Sequence, residues 1–179
     1  MTPTLRDESE ALRIALKVGL LGVDAAVAWA DARILAAERP HPLLCEIALA
    51  GGDHPSDVAR LLARLPGEPD RAVAEGLVAI LMNDLLKLAK VPAARIGDSL
   101  ILAVHRGWLT ARPLKQAASW EPNSRDLDDV GPDGAPSDAA IGRMSRSFSG
   151  GLSRRLAKAA ASAPADWTAR PWIDGGTPT

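Results

Sequence analysis

Apolar positions in the first 110 residues recur at helical spacing and fall into six blocks punctuated by proline and glycine. Leu5, Leu12, Ala15, Leu16 and Val18 lie among Arg6, Asp7, Glu8, Glu10, Arg13 and Lys17. This pattern predicts an amphipathic helix whose first-turn acids complement the helix dipole. Gly19 and Gly22 break it, and Asp24 is expected to cap a second helix over 25–37, with Val23, Val27, Ala30 and Ile34 on one face. Pro42 suits the first turn of a short third helix ending near Leu49, whose buried side is Leu43, Leu44, Ile47 and Ala48.

A fourth helix is predicted from Pro55, with Val58, Leu61, Leu62 and Leu65 as its core stripe and Pro66-Gly67 as its stop. Pro69 opens the longest block, which runs to about Lys90 and is apolar almost all round at Leu77 to Met82, as a central helix would be. A sixth helix follows Pro92, with Ile96, Leu100, Ile101 and Val104 inward and Gly107 ending it. No alternating strand pattern or fixed-period repeat occurs. The expectation is an all-α fold, a compact irregular or orthogonal bundle of about six helices.

Beyond Trp108 the pattern weakens. Residues 1–120 read as one helical domain, 121–136 as a linker rich in Pro, Gly and acids, and 137–179 as a basic amphipathic segment followed by a loose tail from Ala163. In that segment Ile141, Met144, Phe148, Leu152, Leu156 and Ala159 recur opposite Arg143, Arg146, Arg154, Arg155 and Lys158.

Composition supports helices, because the 47% apolar content is mostly Ala, Leu and Val, with one Phe and no Tyr. The formal charge of -1 generates no global field that would steer the chain to nucleic acid or anionic lipid. Locally, residues 1–110 carry 12 basic against 14 acidic residues, and 131–179 carry 6 against 4. The single Cys45 allows no internal disulfide, the N-terminus lacks a signal-peptide pattern, and no apolar run is long enough to span a membrane. A cytoplasmic protein is the expectation.

Candidate chemistry is sparse. His41 and Cys45 are four residues apart, a spacing that suits two metal ligands, but no second His/Cys pair accompanies them, so no metal or other cofactor is expected and Cys45 reads as a small core residue. No nucleophile elbow or phosphate-binding loop is present. Asp31, Glu46, Asp84 and Asp98 interrupt apolar helices. An enzyme would bring them together with His41 or His105 in one pocket, whereas a structural role would disperse them to surfaces, caps and ion pairs, which is the expectation. The basic stretch over 141–159 would suit a phosphate backbone, an anionic membrane surface or an acidic partner, or it would simply be a solvated helix packed on the domain.

The run Gly22 to Leu35, with its Trp29-Ala30-Asp31, followed by Pro40 to Leu49, resembles a pattern in small helical bacterial immunity-type proteins, which are encoded beside secreted or contact-dependent toxins. The resemblance spans roughly residues 7–90. It implies a non-enzymatic protein that binds and neutralises or regulates a partner protein such as a toxin or effector. Trp29, Asp31 and Glu46 would then either hold the helices together or reach that partner; a Trp beside an acid can tie two helices, which favours the first. Partner contacts are expected at Asp31, Glu46, Arg143, Arg146, Phe148, Arg154, Arg155 and Lys158.

Overall fold

A computed structural model describes residues 2–111, 114–115, 151–163 and 170–173. The fold is all-α, with no strand among the described residues. Six helices form the N-terminal part: α1 (Leu5–Lys17), α2 (Val23–Ala36), α3 (Pro42–Ala48), α4 (Pro55–Ala63), α5 (Arg71–Lys87) and α6 (Ala93–His105). The expected linker over 121–136 lies outside the described residues.

Local chemistry sets the starts of these helices. Thr4 and Asp7 form a capping box, in which the Thr4 hydroxyl accepts from the Asp7 N–H at 3.2 Å and the Asp7 carboxylate accepts from the Thr4 N–H at 2.8 Å. α3 and α4 share one design: proline at the first helical position, preceded by a histidine (His41, His54) whose Nδ1 accepts a backbone N–H two residues on. Asp70 caps α5 by accepting from the Ala72 and Val73 N–H groups. Asp24 departs from expectation. α2 is capped by Gly22 without a side-chain bond, and Asp24 sits inside the first turn, where it still complements the dipole.

Helix ends are equally specific. Gly19 and Gly107 adopt φ +69° beyond α1 and α6, and in each case the next residue donates to the carbonyl five residues back, Leu20 to Ala15 and Trp108 to Ala103, both at 2.9 Å. α5 ends in the same motif, but Ala89 occupies the left-handed position at φ 51°. An alanine there carries a Cβ clash that glycine lacks. Ala89→Gly is therefore expected to raise stability by about 1 kcal/mol, read as a higher urea midpoint at unchanged slope.

α5 is the hub, buried from Val73 to Ala79 and again at Leu81, Met82, Asn83 and Leu85. α1 packs on α4 and α5, α2 on α3, and α3 on α4. Leu12, Leu44, Ile47, Leu62, Leu77, Met82 and Leu100 are among the fully buried side chains of the core these helices share. The C-terminal segment joins the same core. Residues 151–159 are helical, with Leu152, Leu156 and Ala159 buried, and the following turn Ala160–Ser162 packs on α5. The Ser153 hydroxyl donates to Asn83 Oδ1 at 2.7 Å. Within the stretch expected to be a loose tail, Arg170–Ile173 form a helical turn against α2, with Trp172 buried. An indole offers enough apolar area to anchor a short segment that its neighbours do not.

Candidate functional site

Among the acids of the six helices and their connections, a buried set and an exposed set stand apart. Glu8 belongs to the first, at 3% side-chain exposure. Its Oε2 accepts from the Trp29 indole Nε1–H at 2.8 Å and from Arg33 Nε at 2.9 Å, while Arg33 Nη2 donates to Oε1. One carboxylate thus receives a bidentate guanidinium and an indole from successive turns of α2, which satisfies a charge that burial would otherwise penalise. Asp7, besides its capping role, accepts from the Asp70 N–H at 2.7 Å and so joins the starts of α1 and α5.

Glu75 is the third tie. It accepts from Arg71 Nε at 3.0 Å, from the N–H and hydroxyl of Thr110, both at 2.9 Å, and from the Ala111 N–H at 2.6 Å. This holds the chain after α6 against α5. Burial pushes the Glu75 carboxyl up, but the donors from Thr110, Ala111 and Arg71 outweigh it and leave the pKa below the usual glutamate value. Glu10 shows the same balance: burial raises its pKa, and Arg13, with help from Arg6 and Lys17, brings it below the usual value.

Asp7, Glu8 and Glu75, the three acids that tie elements together, carry no mark in the sequence beyond a place in a helical turn, although spacing carries a signal for two of them. Glu8 lies four residues before Leu12 and seven before Ala15, on the buried stripe of α1, and Glu75 precedes Val78, Ala79 and Met82 at three, four and seven. The indole of Trp29 does tie two helices through a carboxylate, but the acid is Glu8 on α1. Asp31 is exposed on α2.

The remaining candidates are scattered. Glu46 is exposed on α3, 3.7 Å from Arg64. Asp98 and His105 are exposed on α6, Asp84 is half-buried on α5, and His41 is committed to capping α3. Cys45, expected in the core, is exposed, because Leu44 and Ile47 take the inward positions of this two-turn helix. Among the described residues no group of three His, Cys, Asp or Glu side chains could hold a metal ion. No helix among them is long and apolar enough to cross a membrane.

Described residues line two open grooves. One, about 340 Å³, lies between α1 and α5 beside Trp108 and is bordered by the pairs Glu10–Arg13 and Arg71–Glu75. The other, about 420 Å³, runs from the N-terminal end of α1 to the α2–α3 connection and includes His41. His41 is alone there among the residues an enzyme would have gathered, and neither groove contains Asp31, Glu46, Asp84, Asp98 or His105.

The exposed set concentrates on α2, α3 and the connections that follow them. Asp24, Asp31, Glu38, Glu46 and Asp53 are all exposed, against two arginines over 23–54, and one of these, Arg33, is engaged by Glu8. Within the same stretch of sequence Leu35 and Leu49 stand 79% and 87% exposed, Leu35 four residues after Asp31 and Leu49 three after Glu46. In the C-terminal helical stretch Arg154 and Lys158 are exposed and Arg155 half-buried, opposite the buried Leu152 and Leu156. Arg143, Arg146 and Phe148 lie outside the described residues. Comparison of the chain with protein-family models, curated proteins and solved structures gave no match.

Proposed function

We propose that this chain is a non-enzymatic protein-interaction module, of the immunity or adaptor kind, that binds a partner protein through the exposed faces of α2 and α3. The observation that carries this reading is the pairing of two fully displayed leucines, Leu35 and Leu49, with five exposed acids over 23–54. Large aliphatic side chains within a predominantly acidic stretch supply what an interface needs: apolar area to bury and charge to select and orient the partner. The complementary partner is a basic protein surface with an apolar centre. Trp29 belongs to the support of this face, through Glu8, while Asp31 and Glu46 belong to the face itself.

The same division of acids weighs against an enzyme, since the buried carboxylates are engaged by donors and, among the described residues, the exposed ones do not converge on either groove. A membrane or nucleic-acid role for 141–159 draws less support, because Leu152 and Leu156 are already used in packing on the domain.

The test is capture by tagged protein from cells that carry the neighbouring genes. The double variant Asp31→Lys/Glu46→Lys is compared with the charge-matched Glu68→Lys/Asp98→Lys. The wild type and the charge-matched variant are expected to retain one basic partner, and the α2–α3 reversal to weaken its capture about tenfold or more. Thermal unfolding of both variants should stay close to wild type, because all four positions are exposed. Equal capture by both variants, or equal loss in both, contradicts the proposal.

A further inference from the structure

The groove between the start of α1 and the α2–α3 connection has a composition that the protein-binding face does not use. Its apolar floor includes Leu5, Leu44 and Pro66, its polar rim consists of Arg33, Arg39 and His41, and no carboxylate lines it. This is a cationic recess within an otherwise acidic stretch of sequence.

The rim groups are donors with spare capacity. Arg33 spends Nε and Nη2 on Glu8, which leaves Nη1, and its side chain remains 42% exposed. Among the described residues Arg39 has no hydrogen-bond or ion-pair partner, so its whole guanidinium fork is open. His41 Nδ1 accepts from the Leu43 N–H at 3.2 Å, which puts the ring proton on Nε2 and makes that edge a donor. The charge count is equally informative. Among the residues that line the groove, Arg33 is offset by Glu8 and Arg39 has no carboxylate beside it, so a singly charged acceptor group matches the rim better than a phosphate dianion.

We propose that this groove binds a small amphipathic monoanion, an aliphatic carboxylate whose chain lies on Leu5, Leu44 and Pro66 and whose head group is gripped by Arg39 with help from His41. The volume of about 420 Å³ suits a ligand of this size, and a planar carboxylate suits the bidentate geometry of a guanidinium. The proposal is independent of the partner-binding face, since Asp31 and Glu46 do not line the groove.

Titration of the ¹⁵N-labelled full chain with sodium octanoate, followed by amide chemical shifts, tests it. Saturable shifts are expected around Ala36 to Leu44 and Leu5. 1-Octanol, which keeps the chain and lacks the charge, should bind about tenfold or more weakly, and inorganic phosphate, which lacks the chain, should produce no saturable shift at these residues. Arg39→Gln, a surface change that leaves the fold intact, should weaken octanoate about tenfold. The proposal is overturned by no saturable octanoate binding, by octanol or phosphate binding as well as octanoate, or by an unchanged Arg39→Gln affinity. It is also overturned if an acetylated Ala-Ala-Leu peptide with a free C-terminus binds more tightly than octanoate, since the occupant would then be a polypeptide end.

Discussion

Replacing Glu8 by alanine should destabilise the protein by about 3 kcal/mol, enough to remove a large fraction of the stability typical of a single domain. The change deletes one acceptor and strands two donors. The Trp29 indole N–H, in a side chain only 3% exposed, loses its partner, and Arg33 loses both of its bonds to the carboxylate. Breaking a buried pair by removing one member costs about 3–5 kcal/mol when the survivor stays buried and charged. Arg33 is partly solvated and can turn to water, which puts the expected loss at the lower end of that range. The converse variant, Trp29→Phe, keeps most of the apolar volume and removes only the indole donor, so its cost should be smaller, about 1 kcal/mol. Urea unfolding measures both, and the order Glu8→Ala well above Trp29→Phe is the part of the result that identifies the carboxylate as the centre of the tie.

The second large effect belongs to Glu75. Glu75→Ala leaves the N–H groups of Thr110 and Ala111, the Thr110 hydroxyl and the Arg71 guanidinium without their shared acceptor, at an expected cost of about 2 kcal/mol. Part of the loss is recovered by solvent, because Thr110 is exposed. The effect is pH-dependent in a defined direction. The folded pKa of Glu75 lies below its ordinary value of 4.5, so the folded state favours the ionised form more than the unfolded state does. That stabilisation is fully present above pH 4.5 and is lost as the pH falls through the lowered folded value. Glu10 contributes with the same sign. The difference in unfolding free energy between wild type and Glu75→Gln should therefore be constant near neutrality and shrink on acidification below pH 4.5. A difference that grows in acid would reverse the assignment.

The helical punctuation was legible in the sequence because proline and glycine act locally. Pro42 and Pro55 fix the first turns of α3 and α4, and Gly19 and Gly107 supply the left-handed residues that end α1 and α6. The core stripe was legible for the same reason, since Leu43, Leu44 and Ile47, or Val58 and Leu62, follow from spacing alone. The polar ties were not. A carboxylate at a helix start looks the same in sequence whether it faces water or an indole 21 positions away, and Glu8 and Glu75 meet partners that are remote in the chain. Asp24 shows the opposite error, a local rule that holds in type but slips by two residues because Gly22 takes the cap. Cys45 was expected inside on residue type, but a helix of seven residues has room for few inward positions, and larger side chains fill them.

The division of labour between buried and exposed acids is tested most directly by one equilibrium measurement: urea unfolding of Glu8→Ala beside Asp31→Ala, two carboxylate deletions in the two helices that the Glu8–Trp29 and Glu8–Arg33 bonds join. Glu8→Ala should lower the unfolding free energy by about 3 kcal/mol, whereas Asp31→Ala, on the outer face of α2, should leave it within about 0.5 kcal/mol of wild type. Equal losses in the two variants, or a larger loss for Asp31→Ala, would contradict the assignment of Glu8 to the fold and of Asp31 to the surface.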